Sequence, residues 1–495
     1  MELTIDNQGL VNSPGYHMNS RKALIPGQFI GVLVGFQCLI LVAIPYAFSR
    51  SPPLDVVEGL VWAPHWLIGT YKHPPLPSWL IEISVLITRD VILGPYVLSQ
   101  LCVALTYWFI YRLARLFLDP VSAAASTIVM AGSYYFTVPT LEFNHNVIQL
   151  PLWSGTLLLF AQLRKRPDDW SLWIGLGAIG GFGLYGKYTF AILLIVLLAV
   201  ALYERKTRVT FATIKPYISF GLAILIFLPH LQWLVENNFE PFSYALERTE
   251  GGATSNPLIF TLAQFADHLP MFLVFLAAGI TGLKHLEKLD RNKEDQVFLR
   301  LIAFGPILFT IAIFIATGSA AKDMWGMPMF TPLGLWLVVE LGRKWTMPQL
   351  QRATYAAMTL IVIVGIGFIV QSLHPYLGIP PRSNWPMREL AGNVDRIWKE
   401  HTDKPLGIVA GAPFIAGLAS IGHSQRPPVM IGMDAKHSPW IDEKQLATMG
   451  VIFLSPQDQD VPASCGTEHY KSTIRLSDPL MPEITAILCP PKAEL

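Results

Sequence analysis

Asp55-Val56-Val57-Glu58-Gly59-Leu60-Val61-Trp62, followed shortly by Gly69-Thr70-Tyr71-Lys72-His73-Pro74-Pro75-Leu76, decides how the rest of the chain is read. The stretch lies between two strongly apolar segments, so the chain leaves a membrane here and soon returns to it. Read as a short helix over residues 55–66, it places Asp55, Glu58 and Trp62 at i, i+3 and i+7, on one face. Two carboxylates then share a membrane surface with indole rings, ahead of a rigid Pro-Pro turn that carries Lys72 and His73. Carboxylates held close together raise the pKa of at least one of them, which suits a group that must accept a proton near neutral pH. The competing reading is an interfacial helix with solvated acids and tryptophan anchors, a common feature of membrane proteins.

The whole chain has 495 residues, of which 52% are hydrophobic and only 14% charged, with 38 prolines. Apolar runs of about 18 or more recur, which is the pattern of a polytopic α-helical membrane protein. A net charge of +1 without any basic run excludes a nucleic-acid partner. The first apolar run, 29–48, exceeds the roughly 7–15 residues of a signal-peptide core and reads as a retained anchor. Leu80 to Leu86 soon meets Arg89 and Asp90 and reads as a second interfacial helix. Further crossings are expected at 93–117, 121–138, 146–163, 170–186, 188–203, 215–235, 262–283, 299–317, 326–342 and 353–371, about eleven in all.

Charge at the loops orients these crossings. With the N-terminus in the cytoplasm, the inner segments hold Arg112, Arg115, Arg164, Lys165, Arg166, Arg205, Lys206, Arg208, Lys284, Lys288, Arg291, Lys293, Arg343 and Lys344. The outer loops before residue 372 hold only Arg50, Lys72, Arg89, Lys187, Arg248 and Lys322. The positive-inside rule therefore puts the Asp55 loop outside, and an odd number of crossings sends the C-terminal part outside too.

From about His374 the runs shorten and prolines cluster. Residues 384–401 read as an amphipathic helix with Leu390, Val394, Ile397 and Trp398 on its apolar side. Strand-like runs follow at Gly407–Ala410, Val429–Ile431, Val451–Leu454, Thr473–Leu476 and Ile484–Leu488, which fits a small α/β domain. The expected division is a cytoplasmic segment 1–27, a membrane domain 28–372 and an outside domain 373–495. Cys38 and Cys102 fall in crossings and read as packing residues, whereas Cys465 and Cys489 share the outside domain and are expected to pair.

Four other outside segments are dense in polar residues. Glu142, Asn144 and His145 stand at the mouth of a crossing, before Leu150-Pro151-Leu152-Trp153. Lys187, in Gly186-Lys187-Tyr188, can pair a phosphate or anchor the membrane surface. His230, in Pro229-His230-Leu231-Gln232-Trp233, precedes Tyr244-Ala245-Leu246-Glu247-Arg248 and a Gly251-Gly252 pair that suggests a mobile loop. Lys322-Asp323-Met324-Trp325 forms a very short loop, and a lone lysine beside an apolar groove suits a polyprenyl phosphate. Asp434 to Trp440, in the outside domain, is polar and aromatic and reads as a structured turn.

These motifs, in this order, resemble the GT-C superfamily of lipid-linked-sugar transferases. The relatives meant are the aminoarabinose, galacturonic acid and protein O-mannosyl transferases, which resemble glycosyltransferase family 39. Asp55, Trp62, Gly69 and His73-Pro74-Pro75 fit the first-loop pattern; Val56 stands where that pattern has Glu, and Lys72 where it has a second Asp. The resemblance implies a donor sugar on polyprenyl phosphate, moved with inversion to a lipid, glycan or protein acceptor at the outer face of a bacterial inner membrane. It makes Asp55 the general base with Glu58 tuning it. Lys322 and Lys187 would hold the donor phosphate, supported by Lys72 and His73. Glu142, Asn144, His145 and His230 would face the acceptor or hold a divalent cation, although no cofactor is required. A flippase for a lipid-linked sugar and a non-catalytic assembly protein are the competing classes. A flippase needs polar residues inside the crossings, and here they gather at the outer edge.

A reporter active only outside the cytoplasm should be active when fused after Leu373 and silent when fused after Lys165. The reverse pattern would move the Asp55 loop into the cytoplasm and end this reading.

Overall fold

The computed structural model describes residues 24–249, 257–280, 292–318, 322–342, 344–374, 380–457, 460–462, 465 and 468–491. Most of segment 1–27, Gly251, Gly252, Lys284, Lys288, Arg291, Arg343 and the side chain of Arg248 lie outside the described residues.

The first apolar run forms α1 (Pro26–Phe48). The first loop folds as α2 (Leu54–Trp62), a 3-10 turn over Ala63–His65, and α3 (Leu76–Thr88). There follow α4 (Leu93–Ala114), α5 (Pro120–Ile128), α6 (His145–Lys165), α7 (Trp170–Gly186), α8 (Phe190–Tyr203) and the single turn α9 (Arg205–Arg208). The membrane part closes with α10 (Lys215–Glu236), α11 (Glu240–Thr249), α12 (Pro257–Ala277), α13 (Lys293–Thr317), α14 (Leu333–Leu341) and α15 (Met347–Leu373).

Every expected crossing has its helix, but the helices are unequal. Among the described residues six are long and apolar enough to cross a membrane unaided: α1, α4, α10, α12, α13 and α15. The straight crossing expected over 121–138 is broken. The helix over Pro120–Gly132 and the turns over Tyr134–Leu141 meet at 92°, making a seventh crossing only as a bent pair. α12 packs closely at the break: a Cβ on Gly132 would lie 2.5 Å from Met271 Cα. The crossing expected over 326–342 shrinks to α14, with turns containing Pro328 and Pro332 before it.

The C-terminal part contains α16 (Met387–Lys399), β1 (Ile408–Gly411), α17 (Pro413–Ile421), β2 (Val429–Ile431), α18 (Glu443–Met449), β3 (Val451–Ser455), β4 (Tyr470–Ile474) and β5 (Ile484–Cys489). The strands form one sheet in the order β2-β1-β3-β5-β4. β1 lies parallel to β2 and β3, and β5 antiparallel to β3 and β4. Side chains alternate by face, as strand geometry requires. Val409, Ile452, Leu454, Ala486 and Leu488 join the main core with Leu390, Val394, Ile397 and Trp398 of α16. Ile408, Ala410, Val451, Phe453 and Ile487 pack on the other face, where Cys465 and Cys489 form a disulfide with Cα atoms 5.1 Å apart. α17 and α18 are additions to the sequence reading.

This domain grips the first loop. α17 packs on α2 so tightly that a Cβ on Gly417 would lie 2.5 Å from Val57 Cγ1. The Arg426 guanidinium donates to both carboxylate oxygens of Glu82, each at 3.1 Å, and to the Leu60 carbonyl at 3.0 Å. The N–H groups of Arg50 and Ser51 both donate to the Ser383 carbonyl.

Arg426→Met should leave the Glu82 side chain, 9% exposed, without its counter-charge. A loss of about 3 kcal/mol is expected, because an orphaned buried charge costs more than the pair contributes. Arg426→Met combined with Glu82→Gln should recover part of it. Thermal unfolding in detergent, with limited proteolysis near residue 380, reads both, and equal melting temperatures for the two variants would refute the account.

Candidate active site

α2 begins at the membrane surface with no side-chain cap from its own segment, since Pro53 has none to give. Glu142 supplies it from across the fold: its Oε1 accepts the Asp55 N–H at 2.7 Å. Asn144 completes the junction. Its Nδ2 donates to Asp55 Oδ2 at 3.0 Å, while its Oδ1 caps α6 by accepting from the N–H groups of Asn146 and Val147. The segment between α1 and α4 and the one before α6 are thereby interlocked. Burial, and next the charge of Asp55, push the Glu142 carboxyl up to about 7, against the pull of the Asp55 N–H and of Arg382.

Glu58 takes a different partner from the one its helical spacing suggests. Its Oε2 lies 2.6 Å from Lys72 Nζ, and both side chains are largely buried. Burial alone would lower the Lys72 ammonium, but the charge and hydrogen bond of Glu58 outweigh it and the net shift is upward. The carboxylate that meets Asp55 is Glu142, and Glu58 serves as the counter-ion of Lys72. A lysine this desolvated requires one.

Beside this pair, the rings of His73 and His145 lie 4.1 Å apart, and His145 Nε2 is 3.2 Å from the Pro74 carbonyl. Lys187, at the end of α7, donates to Asn146 Oδ1 and lies 5.6 Å from the centre of the Trp325 ring. Burial lowers its ammonium to about 8, with Asp55 raising it and the charge of Lys322 lowering it further. Lys322 precedes the 3-10 turn Asp323–Gly326 that also carries Trp325. Two like charges within electrostatic reach of each other, beside an aromatic ring, form a place where an anion relieves repulsion.

Comparison with known proteins fits this arrangement. Residues 72–233 match the family model described as dolichyl-phosphate-mannose-protein mannosyltransferase. The lipopolysaccharide core galacturonosyltransferase RgtB of Rhizobium johnstonii is 25% identical over 415 residues, covering 79% of this chain and 80% of that protein. RgtA of the same organism is 25% identical over 487 residues, covering 93% of each. In fold, the chain matches ArnT from Cupriavidus metallidurans bound to undecaprenyl phosphate, with a TM-score of 0.60 and 12% identity. That match covers 93% of this chain and 98% of that one. The chain is similar to GT-C transferases over most of its length.

The structure brings together Asp55, Glu58, Lys72, His73, Glu142, Asn144, His145, Lys187 and Lys322 around the interlocked loops. His230 is engaged elsewhere. It is fully buried, with Nε2 2.9 Å from Tyr188 Oη and Nδ1 2.6 Å from the Ile68 carbonyl, so both ring nitrogens tie α10 to its neighbours. Its neighbour Trp233 packs onto Gly69, where a Cβ would lie 2.3 Å from Trp233 Cε3, which explains the glycine. Among the described residues no three of His, Cys, Asp and Glu converge on a metal site. Two residues of the site carry no sequence signal of their own. Asn146 reads as one more loop amide, and Arg382 as a solitary base after a Pro-Pro pair.

Asn144→Asp should keep the α6 cap but replace the amide that holds Asp55 with a second negative charge. Turnover should fall at least about tenfold with little change in melting temperature, whereas Asn144→Ala should lose about 1 kcal/mol as well. Wild-type turnover in Asn144→Asp would show that the Asn144–Asp55 contact has no part in the chemistry.

Proposed function

We propose that the chain is an integral membrane glycosyltransferase that moves a hexosyl or pentosyl unit from a polyprenyl-phosphate donor to an envelope acceptor of the lipopolysaccharide kind. The reading has the site on the outer face of a bacterial inner membrane. It takes 28–372 as the catalytic domain and 373–495 as an extracytoplasmic domain, with the N-terminus in the cytoplasm. The observation that carries it is the pairing of a proton-accepting site, Asp55 with Glu142, with a cationic site, Lys187 with Lys322, at one edge of the helical bundle. The names of the galacturonosyltransferase relatives support the acceptor class, and ArnT bound to undecaprenyl phosphate supports the donor class. A flippase is disfavoured because the relatives that match most of the chain are named as transferases.

The chemistry follows from charge. The acceptor hydroxyl oxygen attacks C1 of the sugar on the face opposite the phosphate, inverting that centre. The C1–O bond to phosphate breaks and its electron pair stays on the phosphate oxygen. Lys187 and Lys322 stabilise the charge developing there, with Lys72 and His73 adding positive potential and hydrogen bonding. The hydroxyl proton passes to Asp55, whose N–H is held by Glu142. Glu58 holds Lys72 in place. Asn144 and His145 line the acceptor side.

Purified protein supplied with lipid-linked donors and with lipopolysaccharide from cells lacking it should add one sugar, read by mass spectrometry. Asp55→Asn should cut turnover by about a hundredfold or more with donor affinity retained. Lys322→Met should weaken donor binding, and Lys322→Arg should restore part of it. Turnover should rise with pH through about 7, as Glu142 gains its base form, and fall above about 8, as Lys187 loses its charge. An unchanged acceptor, with lipid-linked precursor accumulating on the cytoplasmic side of cells lacking the protein, would favour a flippase instead.

A further inference from the structure

We propose that Arg382, together with Arg50 and Arg388, binds the phosphate groups of the acceptor lipid beside the catalytic loops. This inference rests on the transferase reading above and extends it to the acceptor.

Backbone contacts, not acids, bring Arg50 and Arg382 together. The Arg382 carbonyl accepts from Ser51 Oγ at 2.8 Å, and the next carbonyl, that of Ser383, accepts the N–H groups of Arg50 and Ser51. Arg50 and Arg382 therefore flank the strand of chain that leads into Asp55. Arg382 Cζ lies 5.8 Å from the centre of the Phe414 ring, which backs one side of an otherwise exposed guanidinium. Its charge also acts on Glu142, the carboxylate that caps α2. Arg388 sits in the first turn of α16, where a cation opposes the helix dipole, so helix stability does not account for it. Its charge acts on Tyr46 Oη, at the outer end of α1.

None of the three has a carboxylate within ion-pair distance among the described residues. The acids nearby are already employed. Asp90 accepts from Tyr46 Oη and from the N–H groups of Ile92 and Leu93. Glu389 accepts from the N–H and Oγ of Ser477. Exposed guanidinium charge thus stands at the end of α1, a helix long and apolar enough to cross a membrane. That combination fits an amphiphile with a phosphorylated head and acyl chains, and guanidinium forks match phosphate geometry better than lysines do. The donor phosphate already has Lys187 and Lys322, so the second anion belongs to the acceptor.

The test uses full-length protein in nanodiscs with lipopolysaccharide from cells lacking it. The same material freed of phosphate by hydrofluoric acid serves as the comparison. Arg382→Gln should raise the acceptor KM by about tenfold, with the change falling on that constant and not on donor KM. Arg382→Lys should recover part of it, and Arg50→Gln with Arg388→Gln should raise it further. Arg205→Gln, an exposed arginine next to Glu204, the partner of Arg164, should have no effect. Dephosphorylated acceptor should bring wild type to the level of Arg382→Gln. The proposal is overturned if wild type uses both acceptors equally, or if Arg382→Gln alters donor KM while acceptor KM stays put. Failure of wild type to transfer any sugar to either acceptor would instead bring down the transferase reading.

Discussion

The hydrogen bond from the Asp55 N–H to Glu142 is the contact on which the site depends. A helix that starts at a membrane surface without a cap of its own leaves backbone donors to be satisfied, and α2 is such a helix. Glu142 answers that need from a loop 87 residues away. The same contact sets Glu142 beside Asp55, where burial and the charge of Asp55 push the Glu142 carboxyl up to about 7. One interaction thus satisfies the helix and raises the proton affinity of Glu142. It also forbids the first two outside loops from moving independently, because Asn144 caps α6 while holding Asp55.

Much of this was legible in the sequence, for identifiable reasons. Long apolar runs have one physical solution in a bilayer, so the apolar helices and their order could be read directly, although only six of the described ones are long enough to cross unaided. Alternating apolar positions likewise gave away most of the strands, and the shared compartment of Cys465 and Cys489 their pairing. What escaped was set by contacts distant in sequence. Nothing local in 121–138 announces a break, and the close approach of Met271 of α12 to Gly132 is a contact of that distant kind. Helical periodicity correctly put Asp55 and Glu58 on one face, yet periodicity says nothing about what stands opposite. Lys72 and Glu142 are supplied by other segments, and they decided which carboxylate met which partner. His230 shows the converse: a histidine in a suggestive motif whose two nitrogens are spent on packing.

The C-terminal domain cannot be regarded as an appendage. One face of its sheet belongs to the same apolar core as the membrane helices, and Gly417 admits α17 directly onto α2. The Arg426–Glu82 pair and the bonds at Ser383 hold both ends of the first loop against it. Any movement of this domain is therefore transmitted to the backbone that carries Asp55, since interdigitated cores shift as units.

At the opposite edge of the bundle, Arg164 donates to both oxygens of Glu204 and to Asp295, with its guanidinium 3.9 Å from the centre of the Phe298 ring. Its counter-charges lie 40 and 131 residues further along the chain. Translation delivers them late, so while α6 is being inserted Arg164 is a bare cation that resists translocation. Only when α8 and then α13 arrive does the same residue become a neutralised tie between helices. Orientation during biogenesis and cohesion in the finished bundle thus draw on one side chain at different times. A charge count on the mature protein would miss the earlier role, because insertion responds to charges in the order in which the ribosome releases them.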